Sequence, residues 1–260
     1  MESWRGKWAL VTGASSGIGW ALAEQLAAKG ANLVLTARRA DRLERLANEL
    51  RTRHKVQTQI FAADLARLQA PGEIFRFIEQ QRLPIDILIN NAGFGAYGEF
   101  RKIDLQRLLD MVQVNVAAVV HLTHLFLPLM VERRSGYIMI VASTAAFQPV
   151  PYMSTYAATK GFDLLFAEGI AEEVRRFGVR VCALCPGSTA SEFNEVAGQP
   201  PIPGAQESNE KVARVGLEAL AAGKPRVISG ARNWLSVEAQ RLAPRRLVTR
   251  VAARMFMPPQ

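Results

Sequence analysis

The chain has 260 residues, of which 49% are hydrophobic, and it carries a formal net charge of +9. This size and apolar content exclude a disordered chain and favour one α/β domain over residues 1–260. Polar residues and a proline interrupt the most apolar stretch, 114–131, so we expect a buried helix there and no spanning segment. The N-terminus has no succession of basic, apolar and cleavage regions typical of a secretory signal, and we expect a cytoplasmic protein.

The positive charge is concentrated at the C-terminal end of the chain. Between residues 226 and 260, seven arginines accompany one acidic residue, which gives +6 of the total +9. Arginines and apolar residues alternate over 231–257 and predict a basic helical tail. Such a tail packs its apolar side on the protein, reaches over another subunit or makes peripheral contact with an anionic membrane. Nothing else in the sequence indicates a nucleic-acid partner.

Short β-branched runs alternate with amphipathic stretches along the chain, which is typical of a parallel sheet with helices on both faces. We predict strands near 8–12, 32–37, 56–62, 86–90, 136–142, 180–185 and 226–229. We predict helices near 17–28, 40–53, 66–81, 103–131 with a break near Met111, 154–176, 207–222 and 231–255. This order predicts a doubly wound Rossmann fold with about seven strands.

Two further segments stand out. Cys182 and Cys185 have the spacing of a redox pair or half a zinc site, but they lie in an apolar run that favours a buried strand, and we expect no metal site. The irregular stretch 187–208 is rich in proline and is long for a loop inside one domain. Loops of this length usually serve a function, so we predict a substrate lid.

A glycine-rich turn follows the first predicted strand and opens the first helix. Its residues are Gly13, Ser15, Ser16, Gly17, Ile18 and Gly19. Glycines allow a sharp turn and close approach of the backbone to a ligand, and the free N–H groups of a helix start attract phosphate. The turn therefore predicts a dinucleotide pyrophosphate site, the alternative being glycines needed only for packing.

The end of the second strand indicates which dinucleotide binds. A carboxylate there would accept hydrogen bonds from a ribose 2′-hydroxyl, whereas the sequence offers Arg38 and Arg39, which suit a 2′-phosphate. We therefore favour NADP(H) over NAD(H), unless these arginines only pair with Asp41 or Glu44 on the surface. Asp64, followed by Leu65, is expected to reach the adenine or else to cap the next helix.

Tyr156 and Lys160 lie four residues apart at the start of a predicted helix and so share one face. A free tyrosine has a pKa of about 10 and is a poor proton shuttle at neutral pH, but a neighbouring ammonium favours its phenolate. The pair alone is a weak signal, and its context strengthens it.

The sequence from Lys7 to about Gly230 resembles the short-chain dehydrogenase/reductase family. The matching features are the glycine-rich turn, Asn90 to Gly93, Asn115, Ser143, Tyr156 and Lys160. The resemblance implies that Tyr156 exchanges the proton with the substrate oxygen, Ser143 holds that oxygen, and Asn115 positions a water. It implies that Lys160 lowers the pKa of Tyr156 and holds the nicotinamide ribose.

The resemblance also assigns cofactor contacts and subunit contacts. Further cofactor-binding residues are expected to be Asn91, Ala92, Gly93, Pro186, Gly187 and Thr189, with Ser188 and Ser191 as alternatives to Thr189. The helices at 103–131 and 154–176 are expected to join subunits into a homodimer or homotetramer.

Apolar and aromatic residues lie beside the predicted chemistry. Besides Ser143, the candidate substrate-binding residues are Phe94, Ala145, Phe147, Met153 and Phe193, with Tyr97 and Tyr152 nearby. They favour an apolar carbonyl or alcohol substrate, although such side chains also build cores. The sequence thus predicts an NADP(H)-dependent oxidoreductase. The alternatives are a non-catalytic NADP(H)-binding redox sensor or scaffold and, less favoured, an epimerase or dehydratase.

Overall fold

A single parallel sheet forms the centre of the protein in a computed structural model, which describes residues 4–200 and 206–258. The strands are β1 Trp8–Thr12, β2 Asn32–Ala37, β3 Thr58–Ala62, β4 Ile85–Asn90, β5 Gly136–Val141, β6 Val179–Cys185 and β7 Arg226–Ile228. Their order in the sheet is β3-β2-β1-β4-β5-β6-β7, and all paired strands are parallel. This arrangement confirms the predicted doubly wound α/β fold.

Helices connect the strands and cover both faces of the sheet. They are α1 Gly17–Ala28, α2 Ala40–His54, α3 Ala70–Gln80, α4 Leu105–Val112, α5 Ala118–Glu132, α6 Ser154–Val174, α7 Phe193–Ala197, α8 Asn209–Ala221, α9 Ala231–Gln240 and α10 Arg245–Met255.

Side chains alternate along each strand and fill two cores, one on each side of the sheet. In β1, Ala9 and Val11 face the core that α1, α2 and α8 cover, whereas Leu10 faces the core under α3, α5 and α6. Cys182 and Cys185 lie in β6 with their thiols buried, and burial raises the pKa of each to about 12. The thiols are therefore protonated packing groups at neutral pH.

Three predicted helices have different boundaries in the structure. The helix expected over 66–81 begins at Ala70, because Asp64 accepts the Ala66 N–H and holds the preceding residues in a turn. The break expected near Met111 is a π-helical turn over Gln113–Ala117. The single helix expected over 231–255 is wrong: α9 and α10 are separate, and α10 begins after Pro244, whose ring prevents a continuous helix.

By length and composition, Leu105–Glu132 is long and apolar enough to cross a membrane, with a mean hydropathy of 1.8 in its most apolar window. In the fold, one side of this segment carries Leu122, Phe126 and Met130 into the core beneath the sheet. This side of the segment therefore packs in the core, while 44% of its most apolar window is buried in all.

The order of the strands determines where a binding site opens in this fold. The chain leaves β1 toward β2 on one side and returns to β4 on the other, so a crevice opens at the carboxyl ends of β1 and β4. The glycine-rich turn and Asn91 follow these two strand ends directly.

Candidate active site

A cavity of about 660 Å³ lies along the carboxyl edge of the sheet. It brings together all predicted cofactor residues: Gly13, Ser15, Ser16, Gly17, Ile18, Gly19, Arg38, Arg39, Asp64, Leu65, Asn91, Ala92, Gly93, Tyr156, Lys160, Pro186, Gly187 and Thr189. Residues at the ends of several strands thus line one continuous space, with the arginines and the catalytic candidates in the same cavity.

The glycine-rich turn has the geometry of a phosphate cradle. Gly13 adopts a φ of +64°, and a Cβ on Gly19 would lie 2.3 Å from the Gly13 carbonyl oxygen. Only glycine fits this close approach of the turn to the start of α1. The first N–H groups of α1 lack partners within the helix and attract anions. The cradle therefore fits the pyrophosphate of a dinucleotide.

Thr12 and Asn91 fasten this cradle to β4. The Thr12 hydroxyl accepts hydrogen bonds from the backbone N–H groups of Asn91 at 2.9 Å and Ala92 at 3.0 Å. The Asn91 amide donates to the carbonyl oxygens of Thr12 at 2.8 Å and Gly13 at 3.3 Å. Asn91 thus supports the cofactor site by holding the backbone of the turn, a detail the motif alone did not give.

Arg38 and Arg39 differ in their surroundings. Arg38 is exposed, and none of the ion pairs in the described parts of the chain includes it. Arg39 donates to Ser15 Oγ and Ser16 Oγ of the cradle and pairs with Glu192 at 2.8 Å, not with Asp41 or Glu44. Arg39 is therefore positioned over the cradle by contacts that sequence reasoning did not anticipate.

Asp64 lies at the far wall of the same cavity. Its Oδ1 accepts the Ala66 N–H at 3.0 Å, which shapes the turn after β3. This turn ends four residues before α3 starts at Ala70, so Asp64 is not the N-cap of that helix. The second carboxylate oxygen of Asp64 makes none of the hydrogen bonds described for this turn.

Ser143 and Tyr156 meet at the other end of the cavity. Ser143 follows β5, and its Oγ accepts the Ala145 N–H at 3.1 Å, which fixes the side chain at the start of a 3-10 turn. The Tyr156 hydroxyl is close enough to Ser143 for that side chain to act on its pKa. Burial raises the pKa of Tyr156, and although the Lys160 ammonium and Ser143 pull it down, the net direction is upward. Lys160 thus lowers the pKa of Tyr156 as expected, but burial raises it by more.

Lys160 lies one helical turn beyond Tyr156 and is buried. Its ammonium donates to the Val141 carbonyl oxygen at 2.7 Å and pairs with the Asp163 carboxylate at 2.9 Å. Burial opposes the charged form of Lys160, but Asp163 and Tyr156 favour it, and the pKa of Lys160 is raised.

Asn115 lies in the π-helical turn behind Lys160. Its Nδ2 donates to the Phe94 carbonyl and to Thr159 Oγ1, both at 3.0 Å, and its Oδ1 accepts the Phe94 N–H at 3.1 Å. A Cβ on Gly93 would lie 3.1 Å from Asn115 Oδ1 and 3.4 Å from Lys160 Nζ. The hydrogen bonds of Asn115 therefore join the segment after β4 to α6, close to Lys160.

The predicted lid lies over the catalytic end of the cavity. Its two ends are joined, because Ala190 donates to the Glu207 carbonyl and Glu207 donates to the Ser188 carbonyl, both at 3.0 Å. Helix α7 places the Phe193 ring 5.0 Å from the Tyr156 ring. Residues 201–205 of the predicted lid lie outside the described residues.

Most of the predicted substrate-binding residues line the cavity: Ser143, Phe94, Ala145, Met153 and Phe193. Phe147 is an exception, since its ring packs on the core beneath the sheet and does not line the cavity. The 3-10 turn over Thr144–Phe147 directs neighbouring side chains in different directions, which linear spacing does not reveal.

Phe256 and Glu192 are among the cavity residues that sequence reasoning missed. Phe256, just after α10, lines the cavity and packs beside Met153 and Phe193. Glu192 joins the lid to both Arg39 and Arg42, the latter at 2.5 Å. Their sequence separation from the motifs leaves no local signal for either contact.

Comparisons with known proteins match most of the chain. A family model described as short chain dehydrogenase matches residues 7–200. Very-long-chain 3-oxoacyl-CoA reductase-B of Danio rerio is 34% identical over 197 residues, 74% of this chain and 62% of that protein. The human inactive hydroxysteroid dehydrogenase-like protein 1 is 34% identical over 192 residues, 72% of this chain and 57% of that protein. The chain spans about three fifths of the length of these relatives.

Solved structures match over most of the chain. A short-chain dehydrogenase from Sphingobium yanoikuyae in complex with NADPH is 30% identical, with a TM-score of 0.82 over 91% of this chain and 93% of that one. A 7beta-hydroxysteroid dehydrogenase is 26% identical, with a TM-score of 0.88 over 97% of this chain and 100% of that one. The chain belongs to the short-chain dehydrogenase/reductase family of oxidoreductases.

Proposed function

We propose that this protein is an NADP(H)-dependent oxidoreductase acting on the carbonyl or alcohol group of a mainly apolar substrate. The observation that carries the proposal is the joining of the phosphate cradle to Ser143, Tyr156 and Lys160 within one cavity. A non-catalytic sensor would need only the cradle, and the complete set of catalytic side chains favours an enzyme over that alternative. Two similar proteins are named inactive, so turnover is the first property to measure.

The bound nicotinamide dinucleotide supplies or accepts the hydride in this reaction. In reduction, Ser143 donates a hydrogen bond to the substrate carbonyl oxygen and holds it beside the Tyr156 hydroxyl. Tyr156 then gives its proton to that oxygen, and Lys160 stabilises the phenolate that remains. The same residues act in reverse when an alcohol is oxidised.

The preference for NADP(H) rests on Arg38 and Arg39. No carboxylate lies between the end of β2 and Asp41 to accept a ribose 2′-hydroxyl, and the exposed guanidinium of Arg38 suits a phosphate. Arg39, held over Ser15 and Ser16, adds a second positive charge at the same corner of the cavity.

An apolar substrate is supported by the lid side of the cavity, where Met153 and the rings of Phe94, Phe193 and Phe256 meet. Similar proteins carry names that refer to very-long-chain 3-oxoacyl-CoA and to hydroxysteroids. We extend these names to a substrate class only: a ketone or secondary alcohol on a long or polycyclic apolar body.

The proposal is tested by following NADPH and NADH oxidation separately with long-chain 3-oxoacyl thioesters, steroid ketones and a polar sugar ketone. We expect turnover with NADPH and an apolar ketone, and a KM for NADPH that rises at least tenfold in Arg38→Ala. Arg76→Ala, an exposed arginine of α3 away from the cavity, is the matched control. A preference for NADH or for the sugar would contradict the proposal.

Self-association is the second part of the proposal. Exposed apolar side chains lie on α4, α5 and α6, the helices expected to join subunits: Leu109 52%, Val120 37%, Leu129 39%, Phe162 38% and Leu165 71% exposed. Burial of such side chains between copies would support a homodimer or homotetramer. Light scattering measures the mass of the wild type and of Leu165→Glu. If both have the same mass, and it is that of more than one chain, Leu165 is not part of the interface.

The tail is the third part of the proposal, as a peripheral contact with anionic membranes. Leu247, Val251 and Met255 form an apolar stripe on α10, with 53%, 48% and 71% of each residue exposed. Next to it runs a stripe of Arg246, Arg250 and Arg254, and α10 has no acidic residue. An isologous contact with a second copy would place arginines against arginines. An anionic lipid surface would instead attract the arginine stripe by charge and bury the apolar stripe.

Co-sedimentation with vesicles tests the tail. We expect the full chain to bind phosphatidylserine-containing vesicles better than pure phosphatidylcholine, and Arg250→Gln to weaken binding where Arg76→Gln does not. Equal sedimentation with both vesicles would contradict the proposal. Removing the whole tail is a poorer test, since it also removes Phe256 from the cavity.

A further inference from the structure

The catalytic lysine has a buried counter-ion that the family motif does not contain. Asp163 lies on α6 one turn beyond Lys160 and is 0% exposed. Its Oδ2 accepts a hydrogen bond from Lys160 Nζ at 2.9 Å. The other carboxylate oxygen, Oδ1, is buried without a hydrogen-bond partner.

A carboxylate is rarely buried in this way, because an unpaired carboxylate oxygen carries a desolvation cost. Lys160 offsets part of that cost. The ammonium also donates to the Val141 carbonyl at 2.7 Å, so two of its three donors are occupied by groups other than Tyr156. Asp163 therefore acts on both the charge and the direction of the lysine head group.

We propose that Asp163 is a positioning residue that neutralises Lys160, and thereby holds Tyr156 in the protonated form that carbonyl reduction requires. The proposal rests on the assignment of Tyr156 as the proton donor. It extends the proposed function by giving the site a preferred direction at neutral pH.

The charges around the pair support this assignment. From β6, Cys185 faces Lys160, but burial raises the pKa of its thiol to about 12, and it is neutral. Ser143 and Asn115 carry no charge. The ionic groups that act on Tyr156 are thus Lys160, which favours the phenolate, and Asp163, which favours the phenol. With burial acting in the same direction as Asp163, the pKa of Tyr156 is raised.

The consequence for the reaction follows from the proton balance. In reduction the Tyr156 O–H bond breaks, its proton joins the substrate oxygen that has gained negative charge from hydride addition, and the phenolate remains. In oxidation the phenolate must be present at the start to take the proton. A site that keeps the phenol at neutral pH starts in the state needed for reduction.

The test is an ultraviolet titration of tyrosinate in the full-length protein without substrate, with Tyr156→Phe subtracted to isolate Tyr156. In the wild type we expect Tyr156 to titrate no lower than an ordinary tyrosine, about 10. In Asp163→Asn we expect the titration to move to lower pH by about one pH unit or more. Asp163→Glu, which keeps the charge, is expected to retain most of the wild-type behaviour.

Three results would overturn the proposal: a wild-type Tyr156 that titrates well below an ordinary tyrosine, no movement in Asp163→Asn, or movement to higher pH. The last would mean that Asp163 only keeps Lys160 charged. If Asp163→Asn does not fold by circular dichroism, the wild-type titration still tests the proposal, because a Tyr156 that titrates well below an ordinary tyrosine overturns it. Because this measurement needs no turnover, it stays interpretable even if the ketone assays refute the proposed function.

Discussion

Gly19 shows how little room the cradle leaves. A methyl group there would lie 2.3 Å from the Gly13 carbonyl oxygen and 2.4 Å from the Asn91 amide nitrogen. We therefore expect Gly19→Ala to weaken NADPH binding by at least tenfold, because the turn must open to admit the Cβ. The change in fluorescence of NADPH on binding measures this effect.

Gly72 is the matched control for that substitution. It lies in α3, and a Cβ there meets nothing within 4 Å. Gly72→Ala is expected to keep NADPH affinity and to stabilise the fold by about 0.5–1 kcal/mol, as alanine does in helices. Equal NADPH affinities of the two variants would contradict the close packing at Gly19.

The spacing of Tyr156 and Lys160 predicted that they share one helix face, because a helix brings positions four apart together. Their roles were predictable only from the context of the glycine-rich turn and Ser143. Phe147 was predicted wrongly as a substrate contact because a 3-10 turn directs its ring to the core. Glu192 was missed because its partner Arg39 lies 153 residues away in the chain. Contacts between remote segments have no local sequence pattern.

At the scale of elements, Glu192 links the segment that carries α7 to the cofactor end of the cavity. Glu192 pairs with Arg39 at 2.8 Å and with Arg42, and these arginines hold the pKa of Glu192 below its usual range. We expect Glu192→Gln to lower the KM for NADPH and leave that for NADH nearly unchanged, because Arg39 becomes free for the 2′-phosphate.

Glu195 offers a control within the same short helix. It is exposed, and none of the ion pairs found in the described parts of the chain includes it. We expect Glu195→Gln to change neither the KM for NADPH nor the KM for NADH. A KM for NADPH that rises in Glu192→Gln would show that the ion pair assists cofactor binding.

The order of strands and helices was predictable because apolar runs and amphipathic stretches differ in period. The boundaries of these elements were harder to predict where tertiary contacts determine them. The π-helical turn at Gln113–Ala117 coincides with Asn115, whose amide bonds to Phe94 and Thr159 in other segments. Pro244 was visible in the sequence as the residue separating α9 from α10, and its effect was underestimated.

For the whole molecule, one ion cluster joins the first two helices. Glu24 of α1 contacts Arg53 at 2.6 Å and His54 at 2.9 Å, both on α2. Burial opposes the charged form of Glu24, but the hydrogen bonds from His54 and Arg53 prevail, and its pKa is lowered.

A lowered carboxyl pKa stabilises the fold above the pKa of the unfolded chain, and this stability is lost as the pH falls through the folded value. We expect Glu24→Gln to lower the free energy of unfolding by about 1 kcal/mol at neutral pH, with the difference disappearing in acid. Urea unfolding at several pH values measures it. Glu49→Gln, whose ion pair is exposed and spans 3.9 Å, should change little at any pH.

Hydride transfer with Tyr156 as proton donor is the central claim for the molecule. The most direct measurement is single-turnover oxidation of NADPH by an apolar ketone in Tyr156→Phe. The matched control is Tyr152→Phe, because Tyr152 does not line the cavity. We expect Tyr156→Phe to lower the rate by about 10²–10⁴-fold while NADPH binding is retained, and Tyr152→Phe to stay near the wild type. Equal rates in Tyr156→Phe and the wild type would contradict the account.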